Sequence, residues 1–279
     1  MEVEEGMAVP NPNPDDLLDP DQLTPQLLEL LGPELDAVLL AATSDRRGLH
    51  DAERAWATAA VTALDIDLEV RGRERIDRGQ SYIVAPLHEG FADVLALLQL
   101  PLDLSWVIRD ELLGLPFFGA YLEAAGHIAI EPEAPRAALR SILRAAPAKI
   151  AAGESLVVFP QGSLLGVEVA FQMGAFQLAA RLDTPVLPIV LTGSHRVWDY
   201  PFSRELRAGQ RIFLEVMDTV GPADAMGRMR ELEREMKKRA LARRDAPVRR
   251  YVPARDGNWP GYRFVIDSDY PEVALAAGR

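Results

Sequence analysis

The stretch Ser81-Tyr-Ile-Val-Ala-Pro-Leu-His-Glu-Gly-Phe-Ala-Asp93 decides how this chain folds. It opens with an apolar run, which is typical of a strand buried on both faces. It then turns polar and leads into a helical pattern of apolar residues. His88 and Asp93 lie at this change from strand to helix, with four residues between them. A histidine and a carboxylate placed in this way can act as a base and its orienting partner, and such a pair can deprotonate an alcohol.

A second stretch, Leu156-Val-Val-Phe-Pro-Gln-Gly-Ser163, repeats the arrangement of a short apolar strand followed by a polar turn. The carboxyl ends of parallel strands meet at one edge of an open sheet, and ligands bind at that edge in α/β folds. We therefore expect the two turns to lie close together and to build a single site.

Strand and helix patterns alternate along most of the chain after residue 65. Apolar runs predict strands at residues 66–70, 82–85, 104–108, 128–130, 156–159, 186–191 and 211–217. Helical periodicity predicts helices at residues 92–99, 112–125, 136–152, 174–182 and 226–244. This alternation predicts an α/β fold with a mixed, largely parallel sheet flanked by helices.

The flanking segments complete the expected domain organisation. Residues 1–22 are acidic and rich in proline, which favours disorder or loose attachment. Residues 23–65 carry two helical patterns and are expected to form a helical N-terminal arm. Residues 66–250 are expected to form the main domain. Residues 251–279 hold aromatic side chains among prolines and glycines, which favours an irregular C-terminal cap.

Composition excludes several classes of protein. The net charge of −12 argues against a nucleic-acid binder. The chain has no cysteine, so disulfides, thiol nucleophiles and thiolate metal sites are excluded. No apolar run approaches the ~20 residues of a membrane-spanning helix, and no export signal opens the sequence. We expect a cytoplasmic protein that can contact the inner face of the membrane peripherally.

Four ordered motifs resemble those of the glycerolipid acyltransferase family. Residues 88–93 match its His-x-x-x-x-Asp motif, and Gly126-His-Ile-Ala-Ile-Glu131 matches its second motif. Phe159-Pro-Gln-Gly-Ser163 resembles its Phe-Pro-Glu-Gly-Thr/Ser motif, and Val186-Leu-Pro-Ile-Val190 resembles its fourth. The resemblance implies transfer of a fatty acyl group from a CoA or acyl-carrier-protein thioester to a lipid hydroxyl. It implies no resident cofactor and no metal.

The resemblance also assigns expected roles to residues. His88 would be the general base and Asp93 its partner, as in other His–carboxylate pairs. Gln161, Gly162 and Ser163 would contact the acceptor or stabilise the oxyanion. The acyl tunnel would be lined by four aromatic residues: Phe91, Phe117, Phe118 and Tyr121. Ordinary core packing is the alternative for these aromatic side chains, and capping of a helix is the alternative for His88.

The chain departs from the family at positions that usually carry charge. Family members that act on glycerol phosphates have arginine near Pro132 and after the third motif, where Leu164 and Leu165 stand here. At the position of Gln161 these family members have glutamate, and at the position of Gln172 they often have lysine. A phosphate dianion requires charge-assisted donors. We therefore hypothesise that the acceptor is a neutral or weakly charged lipid alcohol, with Gln161 binding its hydroxyl.

Other interpretations stay open at this point. A phosphate site could be supplied from a shifted position by Arg109, Arg136 or Arg140, which would give a 1-acylglycerol-3-phosphate acyltransferase. A non-catalytic acyl- or lipid-binding relative is a second possibility. The basic helix at 226–244 is either solvated and paired with its own glutamates or a dock for an anionic membrane or an acidic carrier protein. His50, His127 and His195 have no context that indicates a role, although His127 lies inside the second motif and could approach the cleft.

Overall fold

The structure of the chain is a computed structural model that describes residues 38, 46–114, 118–132, 134–164, 166–198, 206–243 and 267. The predicted acidic segment 1–22 and most of the C-terminal cap lie outside these residues, as does the first helical pattern of the N-terminal arm apart from Val38. The second helical pattern of the arm forms α1, Arg46–Ala63.

Seven strands form one sheet within the described residues. Their bounds are β1 Asp67–Arg71, β2 Ile83–Pro86, β3 Leu104–Arg109, β4 Ile128–Ile130, β5 Ser155–Val157, β6 Val186–Thr192 and β7 Arg211–Val216. The strand order is β1-β7-β6-β2-β5-β3-β4. The further helices are α2 Asp93–Leu97, α3 Phe118–Ala124, α4 Pro135–Ala151, α5 Gly174–Leu182, α6 Ser194–Val197 and α7 Ala225–Leu241. Short 3₁₀ turns lie at Arg73–Arg75, Asp110–Gly114 and Gly166–Glu168.

The predicted fold class is confirmed. Neighbouring strands are parallel except for β6 and β7, which pair antiparallel with Ile189 opposite Val216. Five strands therefore share one direction, and β7 with β1 runs the other way. β2 lies at the centre of the sheet, where Ile83 pairs with Leu156 of β5 on one side and Val186 of β6 on the other.

Helices cover both faces of the sheet. One core joins α1, α2 and α3 to side chains such as Val84 and Leu187, and the other joins α4, α5 and α7 to side chains such as Ile83 and Ala85. Alternate residues of a strand point to opposite faces, so every residue of β2 and of β6 is buried. This two-sided burial explains why both strands appear in the sequence as unbroken apolar runs.

The topology brings the two sequence turns together. The chain leaves β2 through α2 on one face of the sheet, whereas it leaves β5 through α5 on the other face. Because β2 and β5 are adjacent, their carboxyl ends form a switch point of the kind at which α/β proteins bind ligands. The turn that carries His88 and the turn of residues 159–163 both lie there.

Several element boundaries differ from the predictions. The helix predicted at 92–99 is the five-residue α2. The region 112–125, predicted to contain a helix punctuated by glycine and proline, holds the end of a 3₁₀ turn and α3, with residues 115–117 undescribed. The short helix α6 was not predicted. Within the described ranges, no helix combines the length and apolar character needed to cross a lipid bilayer.

The basic helix α7 carries the predicted pairs with its own glutamates. Arg228 bonds to Glu231 and Arg239 to Glu235, each on the helix surface. Lys237 differs from this picture because it is fully buried, where it bonds to Glu233 and to Asp267 of the C-terminal segment. A buried ammonium group needs such carboxylate partners. The helix is therefore partly an internal element and not only a solvated face.

Candidate active site

His88 and Asp93 form a direct hydrogen bond at the carboxyl end of β2. The Nδ1 atom of His88 lies 2.6 Å from Oδ2 of Asp93. The Asp93 side chain is fully buried, whereas the imidazole of His88 is 16% exposed. With Nδ1 engaged by the carboxylate, Nε2 is the ring nitrogen left to accept a proton. The predicted base and its partner are thus brought together.

The loop of residues 87–92, here called the His88 loop, folds around the carboxylate. The backbone N–H groups of Glu89 and Gly90 donate to the same Asp93 oxygen as the imidazole, at 2.8 and 3.2 Å. This explains the spacing of the motif, because four intervening residues let the chain fold back from the strand end onto the first turn of α2. Three donors on one oxygen fix the position of the carboxylate.

Phe159 supports the other side of the imidazole. Its ring is stacked on the His88 ring with 3.7 Å between centroids and 17° between planes. Trp106 of β3 lies beyond it, 6.5 Å from the Phe159 centroid. Phe159 belongs to a predicted motif, but its contact with His88 was not predicted. The imidazole is therefore fixed by a carboxylate at one atom and by an aromatic face.

Gln161 joins the two turns beneath His88. Its side-chain oxygen accepts from the His88 backbone N–H at 3.0 Å, and its amide nitrogen donates to the carbonyl of Gly166. The Gly166 N–H in turn donates to the His88 carbonyl at 2.8 Å. Gln161 is fully buried. Both ends of its amide are engaged by the protein backbone.

These contacts correct the prediction for Gln161. Its side chain does not line the cavity and is not placed to bind an acceptor hydroxyl. Gly162 and Ser163 do line the cavity. The Gly162 N–H donates to the Phe159 carbonyl at 3.2 Å, so the turn itself uses the expected oxyanion donor. Gly162 has a φ of 64°, and a Cβ there would press on the Gln172 amide, so glycine suits this turn.

A large apolar cavity opens beside His88. Its volume is about 970 Å³, near the upper end of the usual range for small-molecule sites. Three of the four candidate tunnel residues, Phe91, Phe118 and Tyr121, line it, and Phe117 lies outside the described residues. Leu139 and Ile142 of α4 form another part of the wall. Sequence reasoning missed them because the apolar stripe of α4 is equally typical of ordinary packing.

Two cations line the cavity among the described residues, and both are paired with carboxylates. The guanidinium of Arg109 makes two bonds to Glu111, at 2.9 and 2.7 Å. Arg230 of α7 bonds to Glu233 at 2.7 Å. Arg136 and Arg140 lie on the exposed side of α4 and are not part of the wall. Of the three arginines considered for a shifted phosphate site, only Arg109 therefore reaches the cavity.

Two of the histidines without predicted roles belong to a buried group, here called the Glu53 cluster: His50, Glu53, Tyr121 and His127. Glu53 accepts from His50 at 2.9 Å and from the Tyr121 hydroxyl, and Tyr121 lies 3.1 Å from Nε2 of His127. Burial opposes ionisation of Glu53, but the imidazole of His127 at 3.6 Å and the hydrogen bonds from His50 and Tyr121 outweigh it and lower its pKa to about 2. Burial lowers the pKa of His127. The cluster ties α1 to α3 behind the cavity wall.

Comparison with known proteins agrees with the motifs. Residues 67–192 match the family model described as Acyltransferase. Over 138 residues the chain is 30% identical to 1-acyl-sn-glycerol-3-phosphate acyltransferase of Limnanthes alba, covering 48% of each protein. Over 136 residues it is 32% identical to the enzyme of that name from Pseudomonas aeruginosa, covering 48% of this chain and 52% of the relative. The chain spans about half the length of the curated relatives it matches.

The fold has a counterpart among solved structures. It matches the crystal structure of the 1-acyl-sn-glycerophosphate acyltransferase PlsC from Thermotoga maritima with a TM-score of 0.60 and 20% identity, over 76% of this chain and 88% of that one. At this identity the likeness concerns the fold. The sequence match covers the strands and turns that hold His88, Asp93 and the 159–163 turn. Residues 67–192 of this chain are therefore similar to the family model described as Acyltransferase.

Proposed function

We propose that this protein is an O-acyltransferase that moves a fatty acyl group from a CoA or acyl-carrier-protein thioester to a lipid hydroxyl. The observation that carries the proposal is the hydrogen-bonded His88–Asp93 pair at an apolar cavity of about 970 Å³, within the region that matches the Acyltransferase family model. The cavity suits an acyl chain, and the partly exposed imidazole beside it suits proton transfer from a hydroxyl.

The proposed reaction is a direct transfer that uses no resident cofactor. The acceptor oxygen attacks the thioester carbonyl carbon while its proton passes to Nε2 of His88. Asp93 stabilises the imidazolium that forms. Collapse of the tetrahedral intermediate breaks the carbon–sulfur bond, and the imidazolium returns the proton to the departing thiolate. The products are an ester and a free thiol, and His88 is again neutral.

The charges of the cavity support a neutral or weakly charged acceptor. Arg109 and Arg230, its two described cations, are each engaged by a glutamate. A phosphate dianion would have to compete with these carboxylates for the same donors. The alternative is a 1-acylglycerol-3-phosphate acyltransferase, which is the activity in the names of the relatives. In that case Arg109 would have to leave Glu111, which is exposed and able to move away.

We also propose peripheral contact with a membrane surface at its inner face, from which the lipid acceptor would enter. Met173 lines the cavity and is 52% exposed, and Leu113 is the neighbour of the cavity residue Leu112 and is 39% exposed. Exposed apolar side chains at the rim of a lipid site favour such contact. The apolar segment 115–117 next to Leu113 lies outside the described residues.

The test is an assay of the purified protein with one labelled acyl chain, offered as CoA and as carrier-protein thioester. Monoacylglycerol and lysophosphatidic acid serve as acceptors. We expect the neutral acceptor to react about tenfold faster, as when one charge-assisted bond is missing for the phosphate. We expect His88→Ala to reduce turnover about 10²- to 10⁴-fold.

The other outcomes each decide between the alternatives. Faster turnover of lysophosphatidic acid assigns the activity that the relatives' names carry. Turnover that is unchanged in His88→Ala contradicts acid–base catalysis by this residue. Tight binding of both lipids without turnover in the wild type identifies a non-catalytic lipid-binding relative.

A further inference from the structure

A further histidine–carboxylate contact lies behind the His88 loop. Glu89 follows His88 directly, yet its side chain is only 2% exposed. Its Oε2 atom accepts from the Gly193 N–H at 2.8 Å and lies 3.2 Å from Nδ1 of His195. Gly193 and His195 belong to the turn that leaves β6, and this turn of residues 193–198 is here called the β6 turn. The contact joins residues more than a hundred positions apart in the chain.

The two residues after Glu89 also contact the β6 turn. A Cβ on Gly90 would lie 3.3 Å from backbone atoms of His195 and of Trp198, so the two backbones approach closely at this glycine. The ring of Phe91 lies 5.0 Å from that of Trp198. Three successive residues of the His88 loop therefore rest on one turn, and Glu89 provides the polar part of this contact.

Gly193 is adapted to its part in this contact. Its φ is 97°, and a Cβ there would collide with the carbonyl oxygen of Arg211 on β7. A left-handed residue without a side chain is therefore required. In this conformation, the backbone N–H of Gly193 donates to the Glu89 carboxylate. The β6 turn thus presents one backbone donor and one imidazole to a single carboxylate.

The position of Glu89 bears directly on the reacting histidine. The backbone N–H groups of Glu89 and Gly90 hold the Asp93 oxygen that binds His88. A movement of this backbone would therefore shift Asp93 and, through it, the imidazole. A displacement of about 1 Å in a catalytic group can reduce a rate by about 100-fold.

We propose that Glu89 is a positioning residue, which fixes the His88–Asp93 pair by anchoring the His88 loop to Gly193 and His195 of the β6 turn. This inference rests on the proposed acyl transfer, because the reaction gives the placement of His88 its consequence. It adds a residue outside the His-x-x-x-x-Asp pattern to the parts that the reaction requires.

The electrostatic surroundings of Glu89 also distinguish it from a surface glutamate. Burial raises the pKa of its carboxyl, and the charge of Asp93 raises it further, whereas His195 and the Gly193 N–H act in the opposite direction. A buried carboxyl next to a second carboxylate is costly. An apolar residue would fill the same space at lower cost, but it would offer no acceptor to the Gly193 N–H.

The experiment compares Glu89→Ala, Glu89→Gln and the control Glu154→Ala in the acyl-transfer assay, with the better acceptor of the wild type. Glu154 is equally buried, at 2% exposure, but it bonds to Lys149 and Ser105 at the amino-terminal end of the parallel strands, away from His88. We expect Glu89→Ala to lower kcat about 10- to 100-fold with little change in the KM of the donor. Glu89→Gln keeps an acceptor oxygen and should stay within about threefold of the wild-type kcat.

Two variants of the partner side make the test independent of a single substitution. His195→Ala should lower kcat in the same direction as Glu89→Ala. The double variant should lose less than the product of the two single losses, since both remove one contact. Additive losses, or a wild-type kcat in folded Glu89→Ala, overturn the proposal. An equal loss of kcat per folded molecule in Glu154→Ala also overturns the proposal, because a general loss of packing in the fold would then explain the effect.

A measurement without turnover separates this inference from the proposed function. Nitrogen-15 NMR of labelled histidine follows Nδ1 of His88, identified by its absence in His88→Ala. We expect the hydrogen-bonded Nδ1 signal of the wild type to persist in Glu89→Gln and to be lost in Glu89→Ala. If the wild type transfers no acyl group, the proposed function fails while this signal still tests the positioning. An unchanged signal in Glu89→Ala contradicts the inference.

Discussion

Asp93 and Glu53 are both buried carboxylates that bind histidine, yet they have different positions in the molecule. Asp93 binds His88 at the edge of the cavity, and the ring of His88 is partly exposed. Glu53 binds His50 inside the packing of α1, where the side chains of both residues are almost fully buried. The residue types and the distances are nearly the same, at 2.6 and 2.9 Å.

The two sites differ in what remains available on the imidazole. In the Glu53 cluster, Nε2 of His50 is buried with no hydrogen-bond partner among the described residues and does not border the cavity, and the ring of His127 is hydrogen-bonded at both nitrogens. In the Asp93 pair, Nδ1 of His88 bonds to the carboxylate, and the ring that carries the other nitrogen, Nε2, borders the cavity. A histidine–carboxylate pair therefore indicates chemistry only where one ring nitrogen can reach a ligand. Elsewhere the same pair stabilises the fold.

The largest expected difference between the sites is in activity. Asp93→Asn keeps an oxygen for the three donors and removes the charge that stabilises the imidazolium. We expect kcat to fall about 10²- to 10⁴-fold. Glu53→Gln is the matched substitution in the other cluster and should leave kcat per folded molecule unchanged. Steady-state kinetics of both variants checks this, and a similar loss in both would remove the distinction between the two carboxylates.

The next effect is on stability and concerns Glu53. Its pKa falls from 4.5 to about 2 on folding, which corresponds to about 3 kcal/mol of stability at neutral pH. The folded pKa is depressed, so this stability is present above the unfolded pKa and is lost as the pH falls from about 4.5 towards 2. Urea unfolding of the wild type and of Glu53→Gln should show a gap of about this size at neutral pH. The gap should narrow on acidification, and a constant gap would contradict the role of the ionised carboxylate.

The smallest expected effect concerns Gln161, the uncharged side chain that bonds to the His88 backbone. In Gln161→Glu, a carboxylate oxygen would face the Gly166 carbonyl in place of the amide donor. We expect about a tenfold loss of kcat, equivalent to one lost hydrogen bond of about 1–1.5 kcal/mol. As the pH falls, the kcat of Gln161→Glu should approach that of the wild type at the same pH, because the introduced carboxyl group, once protonated, could donate to Gly166 again. Gln161→Leu provides the control, since it should show a loss that does not respond to pH in this way.

Sequence reasoning predicted the parts of the site that depend on local spacing. The apolar run before His88, the four residues to Asp93 and the strand before Phe159 predicted the β2 and β5 turns and their meeting point. It could not predict the partners of Gln161, because an amide of this length can bind either a ligand or the backbone. The choice depends on how β2 and β5 approach each other, which only the fold determines.

Long-range partners were beyond the reach of the sequence for the same physical reason. His195 was expected to have no role, yet it contacts Glu89 because β6 lies beside β2. Phe159 was recognised as part of a motif, but its stacking on His88 depends on the register of neighbouring strands. Spacing along the chain reports local geometry, and contacts between strand ends depend on topology.

The central place of β2 in the sheet has a kinetic consequence. The His88 loop draws its support from Gln161, 73 residues ahead, and from His195, 106 residues from Glu89. Contacts of such long sequence separation form slowly, since the entropy of closing large loops must be overcome first. The strands and helices can therefore appear during refolding well before the site exists. Recovery of acyl transfer should follow the slowest phase, so that enzymatic activity reports completion of folding.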